Sequence, residues 1–315
     1  MFRKSPVEIR TSPHLKRAVS VEQIMRNVVY ALLPVCAWSV YQFGISVLAL
    51  IIVTTLTCLS TERVFNWMSD KPSSLPDFSA VITGLLLALT LPPGFPLWMA
   101  AVGGFVAIGL GKSLFGGIGY NVMNPALIGR AFVQAAFPVA ITTWTPAFAP
   151  NRFVEFIPST LAWPFMSPAD TSDWVKQQGI DAFTGATPLA LQKFEGVETE
   201  TLDLLTGTVA GSAGETSALV ILLCGLYLAV RRFMDWRIPM TILASTVLIT
   251  LPLYLYDSQA FPTPQFVLLS GGLMLGAMFM ASDMVGSPLT LIGIWVYGFL
   301  IALLTVMIRY FGGLT

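Results

Sequence analysis

The chain has 315 residues, of which 55% are hydrophobic and only 11% are charged. A soluble globular domain carries about 25% charged residues, so this composition excludes a water-soluble protein and predicts that the surplus apolar surface faces a lipid bilayer. The 17 basic and 17 acidic residues cancel, so net charge indicates no class of partner. We expect membrane lipid, and no nucleic acid, around this chain.

Nine apolar segments predict membrane-spanning helices, although several are shorter than the roughly 20 residues that a straight span needs. In chain order, they cover residues 24–42, 45–60, 79–91, 96–111, 121–142, 217–230, 238–256, 266–281 and 289–310. We therefore predict an all-α, polytopic protein. Its parts are a cytoplasmic N-terminal segment (1–22), a first repeat of five helices (23–142), a long loop (143–216) and a second, C-terminally incomplete repeat (217–315).

Two apolar runs are interrupted, at residues 91–94 and 282–288. Broken helices at membrane depth are tolerated where they are packed in protein or line a cavity, and matching breaks in two halves indicate an inverted repeat. Pro92 is followed 23 residues later by Phe-Gly-Gly at 115–117, and Pro288 is followed 23 residues later by Phe-Gly-Gly at 311–313. In the first half this tripeptide leads into another span, so we expect a tenth helix after residue 315.

The distribution of lysine and arginine predicts a cytoplasmic N-terminus, because cytoplasmic loops are enriched in these residues. That orientation places on the cytoplasmic side Arg3, Lys4, Arg10, Lys16, Arg17, Arg26, Arg63, Lys71, Lys112, Arg231, Arg232 and Arg237. The outer side receives only Arg152, Lys176, Lys193 and Arg309. The loop at 143–216 is then extracytoplasmic.

The three cysteines, Cys36, Cys58 and Cys224, all lie in apolar stretches, and the single histidine, His14, lies in the charged N-terminal segment. This spacing matches neither a metal site nor a disulfide framework. We interpret the cysteines as small buried hydrophobic residues and predict no metal-binding and no catalytic residue.

The long loop contains the stretch Asp-Ala-Phe-Thr-Gly-Ala-Thr at residues 181–187, followed by Pro188. By composition alone it is a turn of small residues, or a helix start at which a threonine serves as N-cap. Gly185 and Ala186 leave space beside the hydroxyls of Thr184 and Thr187.

This stretch is similar to the site at which flavin transferases attach FMN through a phosphoester bond to the last threonine of Asp-x-x-(Ser/Thr)-Gly-Ala-Thr. The site occurs in the RnfD/NqrB family, which comprises the RnfD subunit of the Rnf electron transport complex and the NqrB subunit of the sodium-translocating NADH:quinone reductase. Other stretches resemble RnfD as well: Ser-Pro-His at 12–14, Ser-Val-Glu-Gln-Ile-Met at 20–25, Gly-Tyr-Asn-Val-Met-Asn-Pro-Ala at 119–126, Met-Ala-Ser-Asp at 280–283 and Gly-Ser-Pro at 286–288. The likeness runs along essentially the whole chain.

The resemblance implies a flavoprotein subunit in a bacterial inner membrane, with FMN on Thr187 and the flavin loop in the periplasm. It implies a role in electron transfer between NADH and ferredoxin, coupled to Na⁺ or H⁺ translocation, for a subunit that is not catalytic alone. Implied partners are the other Rnf subunits, one of which also bears FMN, and a flavin transferase. A second, noncovalent flavin such as riboflavin is compatible with the same resemblance.

Within the site, we expect Thr184 to hydrogen-bond the phosphate or the turn, and Asp181 to be recognised by the transferase or to cap the turn. Arg130 lies inside an apolar run, where an arginine needs a partner. It could face a second flavin or a phosphate, or pair with Asp283. We expect Asn121 and Asn124, before Pro125, to satisfy a broken helix end.

Two other functions remain open from the residues. A passive channel or solute transporter would also have inverted repeats with broken helices, and members of the family resemble urea channels in fold. The NqrB subunit of the quinone reductase would carry the same motif, although its N-terminal segment is longer.

Overall fold

The structure is a computed structural model that describes residues 20–70, 74–166, 168–169, 171–177, 185–215 and 217–312. The described residues form helices and connecting segments, and none of them is in a β-strand. The prediction of an all-α protein is confirmed. Within the described ranges, four helices are long and apolar enough to cross a membrane, and three further apolar helices are shorter. The chain is therefore a multi-pass membrane protein.

The helices up to the end of the first predicted repeat are α1 (Val21–Phe43), α2 (Ile45–Met68), α3 (Ser79–Leu89), α4 (Leu97–Ile108), α5 (Pro125–Ala136) and α6 (Pro138–Ile141). A π-helical turn, Gly109–Ser113, extends α4. A short 3-10 helix, Leu75–Asp77, precedes α3.

The later helices are α7 (Ser172–Gln177), α8 (Pro188–Glu195), α9 (Thr201–Thr206), α10 (Ala218–Val230), α11 (Arg237–Tyr256), α12 (Pro264–Leu269), α13 (Leu273–Leu275) and α14 (Leu291–Phe311). A 3-10 helix, Pro158–Leu161, lies in the long loop, and a second π-helical turn, Gly276–Met280, follows α13.

The helices begin where the sequence offers capping residues. The side chains of Ser20, Thr263 and Thr290 accept backbone hydrogen bonds at the starts of α1, α12 and α14. Such caps satisfy N–H groups that have no partner within the helix. The apolar sequence of α1, α2, α11 and α14 then supplies the length and hydropathy of a span, and large apolar side chains remain exposed along these four helices. Exposed apolar side chains of this kind are suited to contact with lipid.

The break between α3 and α4 lies in the centre of the protein. Leu89, Leu91 and Phe95 are fully buried there. Two of the freed carbonyl oxygens accept hydrogen bonds from the segment before α10: Leu91 O from Ala213 N at 2.9 Å and Leu89 O from Gly214 N at 2.7 Å. The break is tolerated because the end of the long loop enters the core and satisfies its backbone.

One helix in each half packs against the helices of the next two predicted spans. In the first half α2 packs against α3 and α4, and in the second half α11 packs against α12 and α14. The halves meet where α1 packs against α10. The repeat in the sequence and the inverted orientation of its two halves stay predictions.

Two predicted spans differ in detail from the structure. The span at 121–142 begins as a helix only at Pro125, because Asn124 accepts a hydrogen bond from Ala126 N at 3.0 Å and caps α5 there. The span at 266–281 is interrupted at residues 270–272, where Gly271 has a positive φ of 59°. The capping expectation for Asn124 is confirmed, and the break before α13 is one that the apolar pattern concealed.

The close contact of α2 with α3 depends on Gly84. A Cβ atom at this position would lie 2.5 Å from the Thr55 Cα atom, which is backbone and cannot rotate away. Small residues allow membrane helices to approach in this way. We expect Gly84→Ala to destabilise the protein by about 1–3 kcal/mol, because the two helices must separate.

The measurement is the apparent midpoint of thermal unfolding in detergent at one scan rate. Gly276→Ala is the matched control, since the added Cβ would have no heavy atom of the described residues within 4 Å apart from its chain neighbours and its own helix backbone. Equal midpoints for the two variants would show that the contact at Gly84 has no role in stability.

Candidate functional site

Thr187 is the N-cap of α8. Its backbone is extended, and its hydroxyl oxygen accepts a hydrogen bond from Ala190 N at 3.3 Å. Pro188 occupies the first helical position, where its missing N–H costs no intrahelical hydrogen bond. The interpretation of a threonine as the N-cap of a helix is confirmed for Thr187, whose hydroxyl therefore lies at the positive end of a helix dipole.

The residues before Thr187 are small. Gly185 has a positive φ of 68°, a conformation that glycine adopts without strain. Gly185, Ala186 and Thr187 are all partly exposed. Asp181 and Thr184 lie outside the described residues, so their predicted roles remain predictions.

Helix α8 is held against the second half of the protein. The Lys193 ammonium group donates hydrogen bonds to the carbonyl oxygen of Gly312 and, at 3.4 Å, to that of Arg309, at the C-terminus of α14. Leu189 packs against the buried side chains of Leu204, Phe266 and Val267. Leu189 fixes the first turn of α8 and Lys193 fixes its last turn, so Thr187 is held beside α12 and α14.

Thr187 lines a cavity of about 880 Å³. Side chains from both halves form its wall, including Arg130 on α5, Glu215 before α10 and Arg309 on α14. Ligand pockets in proteins typically measure about 300–1,000 Å³ and combine an apolar lining with a few polar groups. This cavity therefore has the size and the mixed apolar and polar lining of a ligand-binding pocket.

Arg130 pairs with Glu215 and not with Asp283. Its guanidinium lies 3.3 Å from Glu215 Oε1 and also donates a hydrogen bond to the carbonyl oxygen of Thr90, at the break after α3. The predicted alternative of an Arg130–Asp283 pair is wrong, because the segment before α10 brings Glu215 between the halves. Arg130 and Thr187 nevertheless line the same cavity.

The cavity also shows polar atoms that a flavin phosphate or ring could engage. Within the described part of the chain, the buried Ser212 hydroxyl has no hydrogen-bond partner, and Ser212 lines the cavity. A buried hydroxyl without a partner is costly unless a ligand or water satisfies it. The N-terminus of α8 favours an anion at Thr187. The residues present therefore fit a phosphate-linked, hydrogen-bonding cofactor.

Sequence reasoning missed Glu215, Ser212 and Arg309 as residues of this site. Arg309 carried a usable signal, since it lies at the end of an apolar helix just as Arg130 lies in an apolar run. Glu215 and Ser212 carried none, because nothing local distinguishes them from the other polar residues of the loop. Among the described residues, no group of three or more His, Cys, Asp and Glu side chains could hold a metal ion.

Comparison with known proteins shows which family and which proteins this chain is similar to. Residues 8–315 match the model of the NQR2, RnfD, RnfE family. The chain is 39% identical to the D subunit of the Na(+)-translocating ferredoxin:NAD(+) oxidoreductase complex of Acetobacterium woodii, over 97% of this chain and 86% of that protein. It is 35% identical to the D subunit of the proton-translocating ferredoxin:NAD(+) oxidoreductase complex of Clostridium ljungdahlii, over 99% of this chain and 89% of that protein. A third relative, the D subunit of an ion-translocating oxidoreductase complex of Halorhodospira halophila, is 33% identical over 97% of this chain and 87% of that protein.

Proposed function

Because this chain belongs to the NQR2, RnfD, RnfE family, as its motifs predicted, we propose that it is the RnfD membrane subunit of an ion-translocating ferredoxin:NAD oxidoreductase complex. In this proposal it transfers electrons through FMN that is bound covalently to Thr187. The coupling ion is Na⁺ or H⁺, since the relatives' names include both. The subunit performs no catalysis alone and acts as part of an oxidoreductase.

The position of Thr187 carries the proposal. A threonine that caps an exposed loop helix has no need of a large cavity beside it, yet Thr187 lines one of about 880 Å³. A phosphodiester on its hydroxyl would begin at the N-terminus of α8 and lead a bound ring into that space. The flavin supplies the reversible uptake of electrons, while the protein sets its position and its potential.

The chain's own residues have distinct tasks in this proposal. Gly185 and Ala186 leave the hydroxyl accessible to a flavin transferase, since neither adds a side chain larger than a methyl group. Lys193 holds α8 in place through the C-terminal carbonyls of α14. The Arg130–Glu215 pair forms part of the cavity wall and joins the two halves at the break after α3.

The proposed location is a bacterial inner membrane, with the N-terminus in the cytoplasm and α8 on the periplasmic side. The bias of lysine and arginine toward the predicted cytoplasmic loops supports this orientation. The proposed partners are the other subunits of the complex, including a second FMN-bearing subunit, and the transferase that modifies Thr187.

Mass spectrometry of the peptide that contains Thr187 tests the function. In protein made together with its transferase, we expect this peptide to gain about 438 Da, the mass of FMN less water for a covalently held cofactor of this kind. The peptide that contains Thr263, another helix-capping threonine, should be unmodified. An unmodified Thr187 peptide in native material would remove the electron-carrier assignment and favour a transporter without a redox role.

A further inference from the structure

Arg309 is a second arginine in the wall of the Thr187 cavity. It lies in the last turn of α14 and is partly buried. Its Nη1 group donates a hydrogen bond to Val267 O at 2.6 Å, and its Nη2 group donates one to Ser270 O at 3.0 Å. These bonds occupy two of the five N–H groups of a guanidinium, and they hold its plane across the C-terminal end of α12.

Among the described residues, Arg130 has a carboxylate in contact with its guanidinium and Arg309 does not. Arg130 has the Glu215 carboxylate at 3.3 Å. Among the described residues, no carboxylate lies within 4.0 Å of the Arg309 guanidinium, and its hydrogen-bond partners are backbone carbonyls. The Glu215 carboxylate lies against Gly272, next to the Gly271 backbone that Arg309 approaches, but its ion pair is with Arg130. A cation next to a low-dielectric cavity attracts negative charge strongly unless a counter-charge is in contact with it.

Gly271 places this cation beside the flavin-bearing helix. A Cβ atom on Gly271 would lie 2.7 Å from Leu189 Cδ1 and 3.2 Å from Arg309 Nη2. Leu189, two residues after Thr187, and the Arg309 guanidinium therefore approach the same point of the backbone. Only a residue without a side chain leaves room for both, and the positive φ of 59° at this position also favours glycine.

We propose that the Arg309 guanidinium stabilises the negative charge of the reduced flavin on Thr187 and thereby sets the reduction potential of that flavin. The inference rests on the proposed function and adds to it the group that tunes the cofactor. Reduction adds negative charge to the ring, and a cation without an ion-pair partner in the cavity wall favours the reduced form. Arg130 is less suited to this role because Glu215 neutralises it.

The test is a reductive titration of the full chain in its purified complex, in which an electrode mediator supplies the electrons and flavin absorbance is followed. The same titration is run on a complex that carries Thr187→Val, and the difference in absorbance between the two complexes is the contribution of the Thr187 flavin. We expect Arg309→Gln to retain wild-type covalent fluorescence and to shift the midpoint potential of this flavin downward. Arg309→Lys, which keeps the charge, should restore most of the shift.

Arg152→Gln is the matched control, since Arg152 lies in the long loop against Tyr41, Phe148 and Phe153 and does not line the cavity. A normal fluorescent band with an unchanged potential in Arg309→Gln overturns the role of Arg309 alone. Arg309→Gln protein that folds but carries no flavin also overturns it, because the cation would then act in attachment. Absence of a fluorescent band from the wild-type protein would instead refute the proposed function.

If Arg309→Gln does not accumulate in the membrane, Arg309→His takes its place. An imidazole gains its charge as the pH falls through about 6.5. The flavin potential of this variant should therefore approach that of the wild type at low pH and fall below it at high pH. A constant difference from the wild type across this range would contradict the proposal.

Discussion

Thr187→Val is expected to remove all covalent flavin from the chain and to leave its fold intact. Valine keeps the β-branched shape of threonine but lacks the hydroxyl oxygen that would form the phosphoester bond. The denatured protein should show no ultraviolet fluorescence in a gel, and the purified complex should lose the yellow colour due to this flavin. Fluorescence that survives the substitution would place the flavin on another residue.

The same substitution also removes a helix cap, and this effect must be separated from the loss of the cofactor. Loss of a threonine N-cap costs about 0.5–2 kcal/mol. Helix α8 stays docked in the variant because Lys193 and Leu189 hold it independently of the cap. We therefore expect only a small decrease in the thermal midpoint of the apoprotein.

Thr263→Val provides a closely matched control for the cap. Thr263 begins α12, its hydroxyl oxygen accepts from Phe266 N at 3.3 Å, and a proline follows it, as at Thr187. The Thr263 hydroxyl also donates a hydrogen bond to Glu198 Oε2 at 3.0 Å, so this variant should lose at least as much stability as Thr187→Val, and it should keep its flavin. Loss of fluorescence from both variants would indicate that helix capping, and not the Thr187 hydroxyl, controls loading.

The second large effect is expected from Lys112→Met, in a buried ionic cluster that does not line the Thr187 cavity. The Lys112 ammonium is paired with Glu62 on α2, and the side chains are only 4% and 2% exposed. Asp77 Oδ2 lies 3.8 Å from the same ammonium, and Ser79 also accepts from it. The cluster therefore joins α2, the start of α3 and the π-helical turn after α4.

Removal of the lysine leaves the Glu62 carboxylate buried without its counter-charge. Loss of one partner of a buried pair costs about 3–5 kcal/mol, because the remaining charge stays desolvated. We expect Lys112→Met to lower the apparent unfolding midpoint in detergent far more than any exposed substitution, or to prevent accumulation in the membrane.

A double substitution distinguishes loss of the pair from loss of packing. Lys112→Met combined with Glu62→Met removes both charges, and we expect it to recover most of the stability that the single variant loses. Arg63→Met, on the exposed side of α2, should change the stability by no more than about 0.5 kcal/mol. A single Lys112→Met variant as stable as the wild type would show that the cluster does not stabilise the fold.

The helices were predictable because exposure to lipid requires runs of apolar residues, and breaks in the backbone occur at proline and glycine residues within these runs. Each of the nine predicted spans contains a helix, and both predicted interruptions, at 91–94 and 282–288, lie outside helices. Thr187 at a helix start and Asn124 as a cap were also readable, since a cap concerns residues two or three positions apart. The break at 270–272 was not predicted, because its glycines lie within an apolar run.

The partner of Arg130 could not be predicted, because the choice between Asp283 and Glu215 depends on how distant segments pack. Arg130 and Glu215 are 85 residues apart in the chain. Residues 213–214 donate hydrogen bonds to the carbonyl oxygens at the break after α3. This contact brings the Glu215 carboxylate, and not that of Asp283, to Arg130. No periodicity or motif in either segment records that contact.

The order of amino acids was enough to place this protein in a membrane, to locate its helices and their breaks, and to match Thr187 to a flavin-attachment motif. These properties depend on hydropathy and on hydrogen bonds between residues close in the chain. The folded structure was needed to find that Thr187, Arg130, Glu215, Ser212 and Arg309 share one cavity. A cavity is the space that remains between packed helices, so its lining depends on contacts between segments that are far apart in the chain.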